Sequence, residues 1–355
     1  WLHLMIRPAM NRRDLMKWSA FGLAAQALSS HSSPPGARAA GTQRLLLPWR
    51  HGNESLRLAV TRQPAAGDAV LYVHGATFPV ALSVAWKMGG VSWMDQLQTA
   101  GLDAWAFDFT GYGGSDRPQV FDQSAMATAP FGQCMVAAEQ IVAVLQHIRR
   151  ERPRVPIHVI AHSWGTLPAQ RATIDHPELV SRLALFGPVV TRDGAADTTQ
   201  QPAWALYTAD QQRPRQRSGL PGHVATPVSD EELERWCAAY LDSDPTSSQR
   251  TPRSAKVPNG PSADIGLLWS GESIVDSGRI RQPTLIVRGE WDHVTTDADA
   301  KRLFDALSGT SDKRDIKISG GNHWLHLQPR REALWAETLS FLREGGQTNR
   351  GPNSL

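Results

Sequence analysis

Ala161-His162-Ser163-Trp164-Gly165 stands between two segments of opposite character. Before it runs Val155-Pro156-Ile157-His158-Val159-Ile160, an apolar stretch that reads as a buried strand. After it, Thr166 to about Asp175 is compatible with a helix. A serine at such a junction, with small residues two positions away on each side, sits on a sharp, strained turn that lifts its hydroxyl above the sheet edge. Bulkier neighbours would collide with the adjacent strand and helix. The same serine could also serve as a helix cap, so its reading depends on what accompanies it elsewhere in the chain.

Three other segments accompany it. Val70-Leu71-Tyr72-Val73 ends in His74-Gly75-Ala76-Thr77, where Gly75 permits a tight turn. The backbone N–H of Ala76 can then point at the same spot as that of Trp164, giving two donors for a developing oxyanion. His74 itself reads as a packed structural histidine. Further on, the β-rich run Pro283-Thr284-Leu285-Ile286-Val287-Arg288-Gly289-Glu290 is followed by Trp291-Asp292-His293. An aspartate there can orient a histidine and stabilise its imidazolium. Finally Asp315-Ile316-Lys317-Ile318-Ser319 leads into Gly320-Gly321-Asn322-His323-Trp324-Leu325-His326, and a histidine in this glycine-rich loop can swing over the sheet edge. The chain order Ser163, Asp292, His323 is the order of nucleophile, acid and base on a parallel α/β sheet. Asp193 is the rival acid, and His293 and His326 are the rival bases. His326 is expected to face the following helix, His158 to be packed, and His162 to be a pocket wall at most.

With Phe107-Asp108-Phe109-Thr110-Gly111-Tyr112-Gly113-Gly114-Ser115-Asp116, a D-x-x-G-x-G-x-S stretch after the fourth strand, four ordered motifs end four expected strands. On these residues the chain resembles the α/β-hydrolase superfamily from about Leu45 to Phe341. The resemblance implies Ser163 as nucleophile, His323 as general base and acid, Asp292 as orienting acid, and Ala76 and Trp164 as the oxyanion hole. Ala161 departs from the usual glycine of the elbow but is also small. Asp108 reads as a carboxylate that fixes its loop.

Composition narrows the class. The chain has 355 residues, 41% of them apolar, and a formal net charge of +3. Residues 1–39 carry five basic residues and one acid, a net +4, which leaves −1 for the remainder. The body is nearly neutral and a polyanion partner gains no support. Asn11-Arg12-Arg13-Asp14-Leu15-Met16-Lys17 is similar to a twin-arginine export motif, and a mild apolar stretch, Trp18 to Leu28, follows. Ala37-Arg38-Ala39 offers small residues for cleavage. The expected mature chain starts near Ala40, translation starts at Met10, and the twin-arginine translocation machinery is the export partner. The apolar stretch is too short for a membrane anchor, so a periplasmic or secreted protein is expected. Cys134 and Cys237 are expected to be free and buried. No Cys/His cluster has zinc spacing and no glycine-rich phosphate loop occurs, so no metal or other cofactor is expected.

The expected fold is an α/β-hydrolase fold with a mostly parallel eight-stranded sheet, helices on both faces, and a cap inserted after the sixth strand. Strands are expected over 45–49, 56–61, 69–73, 102–109, 156–161, 183–186, 283–288 and 314–319, and helices over 133–152, 301–308 and 331–342. Alternation of strand and helix places active residues at the carboxyl ends of the strands. The organisation is an extension and signal peptide over 1–39, a core over 40–188 and 281–345, a cap over 189–280 and a disordered tail over 346–355. The cap shows one clear helix, 229–241 with Ser229 as N-cap, and a Pro-rich loop over 244–261 expected to lack order. Trp204 and Trp269 are candidates for its underside, and Trp236 for its own small core. Trp164, Trp291 and Trp324 each adjoin a triad member, and at least one is expected to wall an acyl or alcohol pocket.

These readings point to an exported serine hydrolase acting on a carboxylic ester of a small or medium apolar or aromatic substrate. The His-Ser-Trp-Gly stretch is also similar to proline-iminopeptidase relatives, so amide hydrolysis is one alternative, with Glu231, Glu232 and Glu234 as an amine-binding patch. A non-catalytic small-ligand-binding protein on the same fold is another. Haloalkane dehalogenases and epoxide hydrolases carry aspartate where Ser163 stands.

Overall fold

The computed structural model describes residues 41–195 and 199–344, so the expected export leader and the expected disordered tail lie outside the described residues. The strands are β1 (Gln43–His51), β2 (Glu54–Gln63), β3 (Ala69–Val73), β4 (Asp103–Phe107), β5 (Ile157–His162), β6 (Arg182–Phe186), β7 (Trp204–Tyr207), β8 (Ala255–Pro258), β9 (Thr284–Gly289) and β10 (Lys313–Ile318). The helices are α1 (Trp93–Thr99), α2 (Cys134–Glu151), α3 (Thr166–Asp175), α4 (Ala209–Arg217), α5 (Asp230–Asp242), α6 (Gly260–Trp269), α7 (Asp297–Ala306) and α8 (Arg331–Arg343).

Eight strands form one sheet in the order β1-β2-β4-β3-β5-β6-β9-β10. β2 runs antiparallel to β1 and β4, and from β4 onward every pairing is parallel. This is the mostly parallel eight-stranded sheet expected from the alternation. Every residue of β3, β4, β5, β6 and β9 is buried, as a sheet covered on both faces requires. Period-two alternation divides them. Leu71, Val73, Val159 and Ala161 join the core shared with α2, α3 and α7. Val70, Tyr72, Ile160 and Phe186 join the core shared with α1 and α8.

After β3 the chain moves outward to β4, then returns to place β5 on the other side of β3. The crevice beyond the carboxyl ends of β3 and β5 is therefore the topological switch point, where ligands bind in open parallel sheets. Gly75 and Ser163 leave the sheet on either side of it.

The insertion between β6 and β9 carries more structure than its composition suggested. Besides α5, capped by Ser229 accepting from the Glu232 N–H at 3.2 Å, it contains α4, α6 and the antiparallel pair β7–β8. Residues 244–261, expected to lack order, are ordered around Asp244. Its carboxylate accepts the N–H groups of Thr246 and Lys256 and pairs with Arg250 at 2.8 Å. The insertion is seated on the core by a cluster of Phe78, Leu82, Trp236, Tyr240, Trp324 and Leu327. Cys134 and Cys237 are buried and unpaired, as expected. Among the described residues, no helix is long and apolar enough to cross a membrane.

Candidate active site

Ser163 has φ +56°, in the left-handed region that a residue with a side chain occupies only when its surroundings force it. The forcing is visible at its neighbours. A Cβ on Gly165 would lie 2.3 Å from the His74 carbonyl oxygen, and one on Gly75 would lie 2.8 Å from the Ser163 Cβ. The loop after β3 and the turn after β5 thus touch through two glycines. Ala161 is fully buried opposite Val73, which leaves room for alanine there.

His323 Nε2 lies 2.8 Å from Ser163 Oγ, and its Nδ1 lies 2.9 and 3.0 Å from the two carboxylate oxygens of Asp292. Asp292 Oδ1 also accepts the N–H groups of Val294 and Thr295, both at 2.9 Å, so the buried carboxylate is locked before it meets the imidazole. Gly187, at the end of β6 with φ +54°, forms the floor of this pair. A Cβ there would approach His323 Nδ1 to 3.0 Å and Asp292 Oδ2 to 3.1 Å. The rivals stand elsewhere: Asp193 is exposed and pairs with Arg302 at 2.9 Å, and the His293 ring is 6.5 Å from that of His323.

The other half of the site is the loop after β3. His74 Nδ1–H donates to the Gly75 carbonyl at 2.7 Å, and Nε2 accepts from the Phe109 N–H at 3.2 Å. A carbonyl can only accept and an amide N–H can only donate, so the tautomer follows. Burial pushes its pKa down to about 4, keeping it a neutral strut between two loops. Among the described residues the Ala76 N–H has no acceptor, and Trp164 is the middle residue of the turn Ser163–Gly165 that leads into α3. Asp108 accepts from the Val80 and Gly114 N–H groups at 2.8 and 2.9 Å, and burial raises its pKa to about 6.

A family model described as the alpha/beta hydrolase fold matches residues 68–329. The chain belongs to this family. No curated protein matches it. Among solved structures, this α/β hydrolase is similar to a thioesterase domain from the curacin biosynthetic pathway, at 16% identity and TM-score 0.57, covering 84% of this chain and all of that one. It is similar to 2-hydroxy-6-oxo-6-phenylhexa-2,4-dienoate hydrolase from Rhodococcus sp. strain RHA1, at 17% identity and TM-score 0.57, covering 85% and 100%. An esterase from Exiguobacterium antarcticum gives 16% identity and TM-score 0.56, covering 84% and 99%. At these identities the likeness is one of fold.

The residues expected to line a pocket in this α/β hydrolase are largely placed otherwise. His162 is fully buried, stacked on Phe186 at 4.5 Å, and donates from Nε2 to the His323 carbonyl at 3.2 Å. It supports the backbone of His323 and does not wall a pocket, because its side chain follows the inward alternation of β5. His326, expected toward the following helix, turns inward instead, 4.5 Å from the His162 ring and 5.4 Å from that of Phe186. Trp324 stacks on Phe78 at 4.8 Å and meets Trp236 edge-on, so it belongs to the seat of the cap. Trp236 in turn donates to the Leu82 carbonyl at 2.9 Å, packing on the core domain and not within the cap alone. Trp204 lies on β7 under the Lys256 ammonium, bonded to the Gln123 carbonyl. Trp269 ends α6 beneath the Arg192 guanidinium, 4.4 Å from its ring centre. Trp291 is half-buried and keeps exposed surface beside Asp292.

Three contributors carried no motif. Asp264, on α6, accepts the Trp164 indole N–H at 2.9 Å and the Cys134 N–H at 2.7 Å. Its signal was a single charged residue inside a ten-residue helix. Asn322 donates its side-chain amide to the Gln216 and Ser218 carbonyls, each at 2.9 Å. Gly187 shows its role only through φ.

Proposed function

We propose that this α/β hydrolase is a serine hydrolase that cleaves a carboxylic ester through an acyl-enzyme. Ser163 Oγ attacks the ester carbonyl while His323 Nε2 takes its proton, and Asp292 holds the tautomer and stabilises the imidazolium. The N–H groups of Ala76 and Trp164 receive the oxyanion, each such donor contributing about 3 kcal/mol to the transition state. The proton on His323 then passes to the leaving alcohol, and a water repeats the sequence on the acylated serine. The observation that carries this reading is the continuous hydrogen-bonded chain from Ser163 Oγ through His323 to Asp292 on a strained elbow.

The iminopeptidase alternative needs free carboxylates for a substrate amine. Two of its candidates are already engaged: Glu232 pairs with Arg235 and accepts from the Trp86 indole, and Glu234 pairs with Arg213. This favours the ester. Opening an epoxide or displacing a halide by the family's aspartate route requires a carboxylate where Ser163 stands. The proposed substrate body is small or medium, apolar or aromatic, with Trp291 as the flanking tryptophan that keeps surface free to meet it.

A fluorophosphonate probe is expected to label the native chain and not Ser163→Ala, and p-nitrophenyl esters to be hydrolysed in preference to aminoacyl anilides. Failure to label, or preference for anilides, overturns the reading. The leader is proposed to route the protein through the twin-arginine machinery to the periplasm or beyond. Replacing Arg12 and Arg13 together by Lys is expected to hold it in the cytoplasm; undiminished export would refute that route.

A further inference from the structure

Helix α4 of the cap lies across the site, held at one end by Asn322, the residue before His323. Helical periodicity divides its side chains. Arg213 and Arg217, four residues apart, pair with Glu234 and Asp230 of α5. Gln212, Arg215 and Gln216 fall on another face, and there both glutamines are buried. Arg215, half-buried, reaches toward the loop after β3. Its Nη1 lies 3.4 Å from Thr77 Oγ1, directly after Ala76, and its guanidinium is 5.6 Å from the Tyr207 ring centre.

Among the described residues, no carboxylate pairs with Arg215. The guanidinium has five donors, and the one long hydroxyl contact engages only one of them. Beside it, Gln216 Nε2 is buried without a partner, and the buried Gln212 carboxamide lies against the Tyr240 hydroxyl. The field of Arg215 also reaches His293, helping to hold its pKa below the usual imidazole value, although burial is the larger cause. Beside the loop after β3 the cap thus holds a guanidinium with no carboxylate partner, while the nearby acids of the cap are spent on Arg213, Arg217 and Arg235.

Resting on the ester-hydrolase reading, we infer that the substrate bears a carboxylate a few bonds from its scissile carbonyl and that Arg215 binds it. A planar carboxylate matches the guanidinium fork in two parallel hydrogen bonds. Thr77 follows Ala76, so an acyl group with its carbonyl oxygen on the Ala76 and Trp164 N–H groups sets a distal carboxylate toward Arg215. The substrate class is a monoester of a short dicarboxylic acid or its hydroxy- or keto-acid analogue.

The test compares p-nitrophenyl monoesters of succinate, glutarate and adipate with p-nitrophenyl butanoate, pentanoate and hexanoate. The native protein is expected to favour at least one charged ester by tenfold or more in kcat/KM. Arg215→Gln should bring that ratio to within about twofold of unity, Arg215→Lys should restore part of it, and the outward-facing Arg217→Gln should keep it. In parallel, free glutarate or adipate should slow fluorophosphonate labelling of Ser163 in the native protein and not in Arg215→Gln. Esters hydrolysed without charge preference, and labelling indifferent to dicarboxylates, overturn the inference while leaving the ester reading intact. Arg215-dependent protection without hydrolysis of any ester supports the anion site and overturns the ester reading instead.

Discussion

The indole N–H of Trp164 donates to the carboxylate of Asp264 at 2.9 Å, which ties the residue after Ser163 to a helix of the cap insertion. The same oxygen accepts the N–H of Cys134, the first residue of α2, whose own preceding residue offers no side-chain cap. One buried carboxylate therefore joins the elbow, the start of α2 and the cap. Burial raises its pKa to about 6 against the three hydrogen bonds that favour the charged form.

Asp264→Ala leaves two buried donors without an acceptor and is expected to cost about 2–6 kcal/mol, at about 1–3 for each unsatisfied group. Asp264→Asn should cost less, because its carbonyl can take the place of Oδ2 and its amide can donate to Gln133 once that carboxamide turns its oxygen inward. Urea unfolding of both variants checks this, and equal losses would contradict the shared-oxygen arrangement.

Gly75→Ala introduces a methyl group 2.8 Å from the Ser163 Cβ and 3.1 Å from the His162 carbonyl. Displacing the serine should lower kcat, by about 100-fold where the shift reaches about 1 Å, with a matching fall in the rate of fluorophosphonate labelling. A Gly75→Ala enzyme of native kcat would mean that the elbow and the loop after β3 are less tightly meshed than described.

Asp292→Asn should reduce kcat by about 10³–10⁴, because the amide favours the wrong imidazole tautomer. KM should change little. The Val294 and Thr295 N–H groups retain a carbonyl acceptor, so the melting temperature should fall by only a few degrees. Steady-state kinetics with a thermal melt separate these effects.

Buried histidines should make the fold acid-sensitive. Burial drives His326 to about 3 and His74 to about 4, and takes His162 well below its usual value. The unfolded chain binds protons on these groups from about pH 6.5 downward while the folded chain does not. Stability is thus whole above that pH and is lost as pH falls through the folded values. Asp108 and Asp264, both raised to about 6, act with the opposite sign and weaken the fold as pH rises through 6. His326→Leu should therefore show a shallower fall in melting temperature between pH 6.5 and 4 than the native chain. Identical slopes would show that His326 is not held neutral.

The sheet and the three convergent side chains could be read in advance for a physical reason. A serine at positive φ and a loop pressed against it demand small residues at fixed offsets, and Ala161, Gly165 and Gly75 display that demand in one dimension. The fully buried strands likewise announce themselves as short apolar runs between turns. The tryptophans misled because adjacency to a catalytic residue says nothing about direction. Trp164 enters α3 pointing toward α6, and Trp324 steps to the side of Phe78, opposite in role to the histidine before it. The cap was opaque because long-range ion pairs and a shared aromatic seat fold it. Its strands β7 and β8, four residues each, are too short to show alternation.

Asn322 grips the last turn of α4 with the same loop that presents His323. Raising that helix to admit a bulky molecule must either sever both amide contacts or drag the imidazole away from the serine. The seat of the cap helix and the placing of the imidazole are thereby written into one short loop, and neither can be redesigned without regard to the other.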